Sequence, residues 1–127
     1  MIFLETSFLI NFFLEKNRFH ERSLEIWNDI KDKEIIISEM TIYETLTVLR
    51  KLKQNDEMVN EVYEKLTEIN VYEDVIYYDK ALKDTLINNV GFFDNLSHIV
   101  MINNDIEEIA SFDLDFDMFT DIKRIGQ

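Results

Sequence analysis

The chain has 127 residues, 46% of them hydrophobic, and a formal net charge of −13 from 13 basic and 26 acidic side chains. That length and apolar content suit one domain with its own core and exclude a disordered chain, while the lack of cysteine excludes disulfides and thiolate metal sites. With no proline and only Gly91 and Gly126 as glycines, a glycine-rich phosphate loop is also excluded, and the charge predicts repulsion from nucleic acid unless metal ions or a local basic patch intervene.

In chain order, Ile2-Phe3-Leu4 is an apolar run that stops abruptly at Glu5. A run bounded this way suits a strand buried on both faces of a parallel sheet. Thr6 and Ser7 can cap a helix that continues from Ser7 to about Glu15. A polar turn at Lys16-Asn17-Arg18 leads to a second helix over Phe19 to Lys31, with Leu24, Ile26, Trp27 and Ile30 as its apolar positions. After the charged break Lys31–Glu34, Ile35-Ile36-Ile37 reads as a second buried strand stopped by Ser38. Ser38 or Glu39 opens a third helix to about Lys53, where Ile42, Leu46 and Leu49 share a face with Tyr43 at its edge. Asp56 starts a fourth helix through Ile69, and because the third and fourth helices carry more apolar residues than one core face needs, Tyr43, Leu49, Leu52, Val59 or Tyr63 are expected at a homodimer contact.

Val71 to Tyr78 predicts a third strand, and Asp79 caps the helix after it. Asp94 opens another helix, carrying Leu96, Ile99, Val100 and Asn103 at helical spacing. Ile106 to Phe112 predicts a fourth strand, Asp113 to Asp121 an acidic loop, and Ile122 to Ile125 a fifth strand at the edge. Strands alternating with helices predict an α/β fold over residues 1–127 as a single domain, with a parallel sheet covered on both faces. No apolar run has the length of a membrane span and no basic segment precedes Ile2, so a soluble, unprocessed, cytoplasmic chain is expected.

Ligands of open α/β sheets bind beyond the carboxyl ends of the strands. Glu5 and Asp113 leave the first and fourth strands at that rim, and Asp94 opens a helix that begins there. Glu44 lies inside the third helix with Met40 and Val48 one turn away, a poor setting for an exposed carboxylate. Each acid also has a plain structural reading: helix surface for Glu44, N-cap for Asp94, solvated turn for Asp113, Asp115 and Asp117. As a set they have more to offer. Carboxylates converging in a low-dielectric crevice repel one another and their pKa values rise. A hard divalent cation relieves this, since Mg²⁺ takes oxygen ligands at ~2.0–2.1 Å. Such an ion lowers the pKa of a bound water and stabilises charge on a phosphoryl oxygen, which suits phosphodiester hydrolysis. His98 is read as a histidine at a helix edge near the acids and His20 as a surface residue. Phe12, Phe13, Phe19, Phe92 and Phe93 are assigned to core or dimer contacts rather than base stacking, on the ground that no basic residues interleave with them.

Four short motifs in order and spacing resemble the PIN-domain family, and in size its VapC-type toxins of prokaryotic toxin–antitoxin pairs. Glu5-Thr6-Ser7 stands where members have Asp-Thr-Ser after the first strand. Glu44 matches a Glu within the helix that follows the second strand. Asp94-Asn95-Leu96-Ser97-His98 is similar to an Asp-Ala-Leu-His phrase, with the His one place later. Ser111-Phe112-Asp113-Leu114-Asp115-Phe116 is similar to the closing Ser/Thr-x-Asp and Asp-Phe pair. The resemblance covers essentially the whole chain. It implies strand order 3-2-1-4-5 and a Mg²⁺- or Mn²⁺-dependent ribonuclease. It also implies a homodimer silenced by an antitoxin that plugs the acidic site. In that reading Glu5, Asp94 and Asp113 hold metal directly or through water, Asp115 or Asp117 adds a ligand, and Glu44 orients an attacking water. Thr6, Ser7 and Ser111 then support the carboxylates. The family's Asp is replaced here by Glu5, whose extra methylene bears on activity more than on fold. Glu5 fits either a compensated natural variant or an inactivating substitution.

Three functions compete on these residues: a metal-dependent ribonuclease toxin that binds RNA and a basic antitoxin, a PIN-fold binding module that no longer cuts, and a receiver-like signalling domain. The last expects paired acids after the first strand and a lysine after the last core strand. Glu5 stands alone and Lys123 comes too late, which places it last.

Overall fold

Ile2–Leu4 form β1, all three fully buried, and the fold is laid out around them. The structure, a computed structural model, describes residues 1–127. Around β1 stand α1 (Thr6–Phe13), α2 (His20–Ile30), β2 (Ile35–Ser38), α3 (Glu39–Lys51), α4 (Asp56–Thr67) and β3 (Asn70–Tyr72). The second half adds α5 (Tyr78–Asn88), α6 (Phe92–Asn103), β4 (Glu108–Ala110) and β5 (Lys123–Ile125). The five strands form one parallel sheet in the order β3-β2-β1-β4-β5. That is the order implied by the resemblance. It makes β1 central, with Phe3 between Ile36 on β2 and Ile109 on β4.

Successive side chains of a strand point to opposite faces, and the core divides accordingly. Ile2, Leu4 and Ile37 join Phe8, Leu9, Ile26, Leu49 and Leu66 on one side. Phe3, Ile36 and Ile109 join Val100, Met101 and Phe116 on the other. No helix is long and apolar enough to cross a membrane.

Two expectations are corrected here. The strand expected over Val71–Tyr78 ends at Tyr72. The reason is Asp74, fully buried, whose carboxylate accepts from the Met40 backbone N–H at 2.8 Å and the Tyr78 hydroxyl at 3.0 Å. These bonds turn the chain into a 3₁₀ turn at Val75–Tyr77 and directly into α5. Val75 and Ile76 stand 58% and 78% exposed, so the β-branched run is not a buried one. Leu49, expected at a dimer contact, is fully buried in the core between helices. The acidic loop after β4 also has structure of its own, a 3₁₀ turn over Leu114–Met118 capped by Asp113, which accepts from the Asp115 N–H at 2.9 Å.

Candidate active site

β1 and β4 are neighbours, so the residues leaving them meet at the sheet's carboxyl rim. Glu5 caps α1, its Oε2 accepting from the Ser7 backbone N–H at 2.9 Å and the Ser7 hydroxyl at 2.5 Å. The Ser111 hydroxyl, arriving from β4, donates to the same oxygen at 2.7 Å. Ser7 in turn accepts from the Phe112 N–H at 2.9 Å, and Ser111 from the Asp113 N–H at 3.0 Å. The two serines thus stitch the first helix to the loop that carries Asp113. Oε1 of Glu5 makes no hydrogen bond, yet no buried polar side-chain atom lacks a partner, so this oxygen keeps contact with solvent. Burial pushes the Glu5 carboxyl up to about 7, against the lowering effect of Ser7 and Ser111 and with a small further rise from Glu44.

Asp94 is the third residue of α6, with Gly91 at the N-cap position. It therefore does not cap the helix as one reading of the sequence had it. The buried Asn95 beside it fixes the helix start, donating to Thr85 Oγ1 at 3.0 Å and to the Val90 carbonyl at 3.1 Å. Burial, followed by the charges of Asp113, Glu5, Glu44 and Asp115, pushes Asp94 up to about 8. Glu44 reaches the same region from α3. Its Oε1 accepts from the Thr6 hydroxyl at 2.6 Å, and burial and Asp113 raise its pKa.

One carboxylate oxygen each from Glu5, Asp94 and Asp113 lie within 4.8 Å of one another. None of these residues, nor Glu44, pairs with a cationic side chain: the ion pairs of the molecule all lie elsewhere. A donor set of hard oxygens with no cation to neutralise it, held partly out of water, fits Mg²⁺ or Mn²⁺ by the chemistry of its atoms. Asp115 is close enough to raise Asp94.

Asp117, expected as a further ligand, is instead the partner of Arg124, whose Nε and Nη2 donate to its two oxygens at 2.9 and 3.2 Å. Those hydrogen bonds hold its carboxyl below the usual range. His98 is turned to Asp121, with Nε2 2.8 Å from Oδ1, and its ring stacks on Phe119 at 3.9 Å. His20 is half-buried, its Nδ1 2.9 Å from the Asn11 carbonyl.

Two side chains around the site escaped the sequence reading. Arg124 is buried in β5 and donates from Nη1 to the Ser111 carbonyl at 3.1 Å. Its only signal was a place inside the predicted edge strand Ile122–Ile125, next to Lys123. Arg18 lies over the Phe19 ring at 4.9 Å, so an aromatic once assigned to core or dimer contacts does have a basic neighbour.

The PIN domain family model matches residues 2–121. The fold is similar to that of VapC20 of Mycobacterium tuberculosis, a sarcin–ricin loop cleaving toxin: TM-score 0.86, 19% identity, 96% of this chain and 97% of the toxin covered. It is also similar to PAE2754 of Pyrobaculum aerophilum: TM-score 0.67, 16% identity, 97% of this chain and 87% of that one covered. At these identities the likeness is one of fold. No curated protein sequence matches the chain.

Proposed function

This chain belongs to the PIN domain family, and on that premise we propose that it is a divalent-metal-dependent endoribonuclease, a toxin of the VapC type, acting at the acid group of Glu5, Glu44, Asp94 and Asp113. The observation that carries the proposal is the meeting of Glu5, Asp94 and Asp113 oxygens within 4.8 Å with no cationic side chain beside them. Its likeness in fold to a sarcin–ricin loop cleaving toxin supports the choice of substrate.

In this reading Glu5, Asp94 and Asp113 would hold Mg²⁺ or Mn²⁺, with Asp115 as an outer contributor. A bound ion would supply positive charge to the phosphoryl oxygens and acidify water. The chain's own residues do the rest. Ser7 and Ser111 keep the Glu5 carboxylate in place through Oε2. Thr6 pins one oxygen of Glu44, leaving the other to accept a proton from the water that attacks phosphorus. The bond from phosphorus to the leaving ribose oxygen breaks, and that oxygen takes a proton from solvent water. Burial, with Asp113 beside it, raises the Glu44 carboxyl and makes it a better proton acceptor.

A second reading keeps the fold and drops the chemistry, making this a binding module for RNA or an antitoxin. It is favoured by Oε2 of Glu5, already occupied by three hydrogen bonds, in a residue longer than the family's Asp. Cleavage of a labelled RNA mixture with Mg²⁺, Mn²⁺ or chelator separates the two. Chelator-sensitive cleavage lost in Asp94→Asn supports the nuclease; absence of cleavage in every form, Glu5→Asp included, overturns it.

A basic antitoxin segment is the expected inhibitor, because a planar guanidinium fork matches clustered carboxylates. We also read the chain as a homodimer. Tyr43, Leu52 and Tyr63 on or beside α3 and α4 remain exposed, as an apolar contact requires, and sedimentation at micromolar concentration tests it.

A further inference from the structure

A chain of net charge −13 that handles RNA must offer the strand some place of attraction. The turn between α1 and α2, like the run Arg50–Lys53 at the end of α3, is a place where the local balance reverses. Between Lys16 and Arg22 the charged residues are Lys16, Arg18, Glu21 and Arg22. Arg22 is taken up by Glu25 at 3.0 Å and the Gln127 carbonyl at 2.8 Å, whereas Lys16 and Arg18 enter no ion pair. Between these two cations and α2 stands Phe19, an exposed aromatic ring.

Phe19 is built into the site rather than left at the surface by chance. Its ring lies nearly parallel to that of Phe112, 13° between planes and 4.8 Å between centroids. Phe112 sits between Ser111 and Asp113, and its N–H donates to Ser7, the residue that holds Glu5. From the other side, Asn11 accepts from the Phe19 N–H at 3.1 Å and donates to the Ser7 carbonyl at 2.7 Å. Ser7 is therefore tied to both rings of the stack and to the acid group. Over the Phe19 ring, 4.9 Å from its centroid, lies the exposed Arg18 guanidinium.

We propose that Phe19, backed by Phe112 and flanked by Arg18, is a subsite for one unpaired base of a single-stranded RNA whose backbone passes the acid group. The inference rests on the ribonuclease reading and deepens it. Bases of single strands stack on aromatic side chains, and every base has a face for this. An exposed cation–π contact is weaker than a base–aromatic stack, so the base takes the outer face of the ring and Arg18 turns to a phosphate. Paired bases present no free face, so duplex RNA gains nothing from this subsite.

The test uses a short fluorescein-labelled single-stranded oligoribonucleotide of mixed sequence. Binding is read by anisotropy in chelator, and cleavage kinetics with Mn²⁺. Phe19→Leu keeps apolar bulk and removes the ring; it is expected to weaken binding about tenfold and to raise KM more than it lowers kcat. Phe19→Trp is expected to restore binding. Arg18→Ala is expected to weaken binding and to reduce the slope of log affinity against log salt by about 0.7, the share of one phosphate on a single strand. The same sequence annealed to its complement is expected to show no difference between the parent and the Phe19 variants. If Phe19→Leu binds and cuts like the parent, the subsite is overturned while the nuclease stands. If the parent protein neither binds nor cuts the strand, the subsite and the reading beneath it fall together.

Discussion

Ser111 and Glu5, 106 residues apart, are joined by a hydrogen bond of 2.7 Å from the serine hydroxyl to Oε2 of the acid. The contact exists because β1 and β4 are sheet neighbours, and it ties the loop of Asp113 to the start of α1. A donor to the ionised carboxylate lowers its pKa. Ser111→Ala removes one such donor, so Glu5, already at about 7, moves further up. On the nuclease reading it is the ionised Glu5 that would hold a cation, so the acidic limb of the pH–activity profile is expected to shift to higher pH. A limb that stays in place would show that Ser111 does not tune Glu5.

The metal-free protein is expected to lose stability as pH rises. Glu5 goes from 4.5 unfolded to about 7 folded, and Asp94 from 3.8 to about 8. A carboxyl whose folded pKa is raised binds protons better when folded. Its contribution is complete below the unfolded value and is lost as pH climbs through the folded one. Thermal melts in chelator should fall across the window from about pH 4 to about pH 8. Mn²⁺ should raise the melting temperature more at its alkaline end than at its acid end, because ligands must be deprotonated to bind. A stabilisation by Mn²⁺ equal at both ends would argue against these acids as its ligands.

Gly126→Ala is expected to destabilise the fold by ~1–3 kcal/mol, the usual range for overpacking. A Cβ at this position would stand 1.9 Å from the Ser111 carbonyl oxygen, so backbone must move. The same carbonyl accepts from Arg124, so the shift is passed to the segment that carries Asp113. Urea denaturation of Gly126→Ala beside Lys123→Ala measures it, the exposed β5 position serving as the surface control. Equal midpoints would mean that the last residues are not packed against Ser111.

Glu5→Asp is expected to raise ribonuclease activity, with a larger gain in Mg²⁺ than in Mn²⁺. The shorter side chain draws the carboxylate back by roughly one bond, and a misplacement of about 1 Å can cost on the order of 10²-fold in rate. Ser7 is positioned to hold the shorter acid through its N–H. Initial rates on labelled RNA with each metal decide the matter. A slower Glu5→Asp enzyme would show that the surrounding serines have been fitted to glutamate.

Much of the architecture was legible because it is local. The runs Ile2–Leu4 and Ile35–Ile37, each closed by a polar residue, needed no knowledge of their neighbours to be read as buried strands. Helical spacing likewise placed α3 and α6 within a few residues of their ends. Local reading failed at Val71–Tyr78, where apolar, β-branched composition pointed to a strand. The buried Asp74 bends that segment by bonding to Met40, 34 residues earlier, and no window of sequence contains both.

The acids divide in the same way. Position at an element end was enough to single out Glu5, Asp94 and Asp113, since every parallel strand delivers its carboxyl end to one rim. Asp115 and Asp117 look alike in sequence, and only the fold separates them. One lies near Asp94; the other is drawn off by Arg124, an arginine that the edge strand β5 buries beside it. The surroundings of Phe19 are likewise part local and part tertiary. Its partners are Arg18, next to it in the chain, and Phe112, brought over by the meeting of β1 and β4. Residue type and spacing therefore determined the strands, the helices and the three acids at the rim. Which charges stay unpaired, and which ring is held against the site, were decided only by contacts between distant segments, because a carboxylate's partner or a ring's neighbour depends on packing and not on its place in the chain.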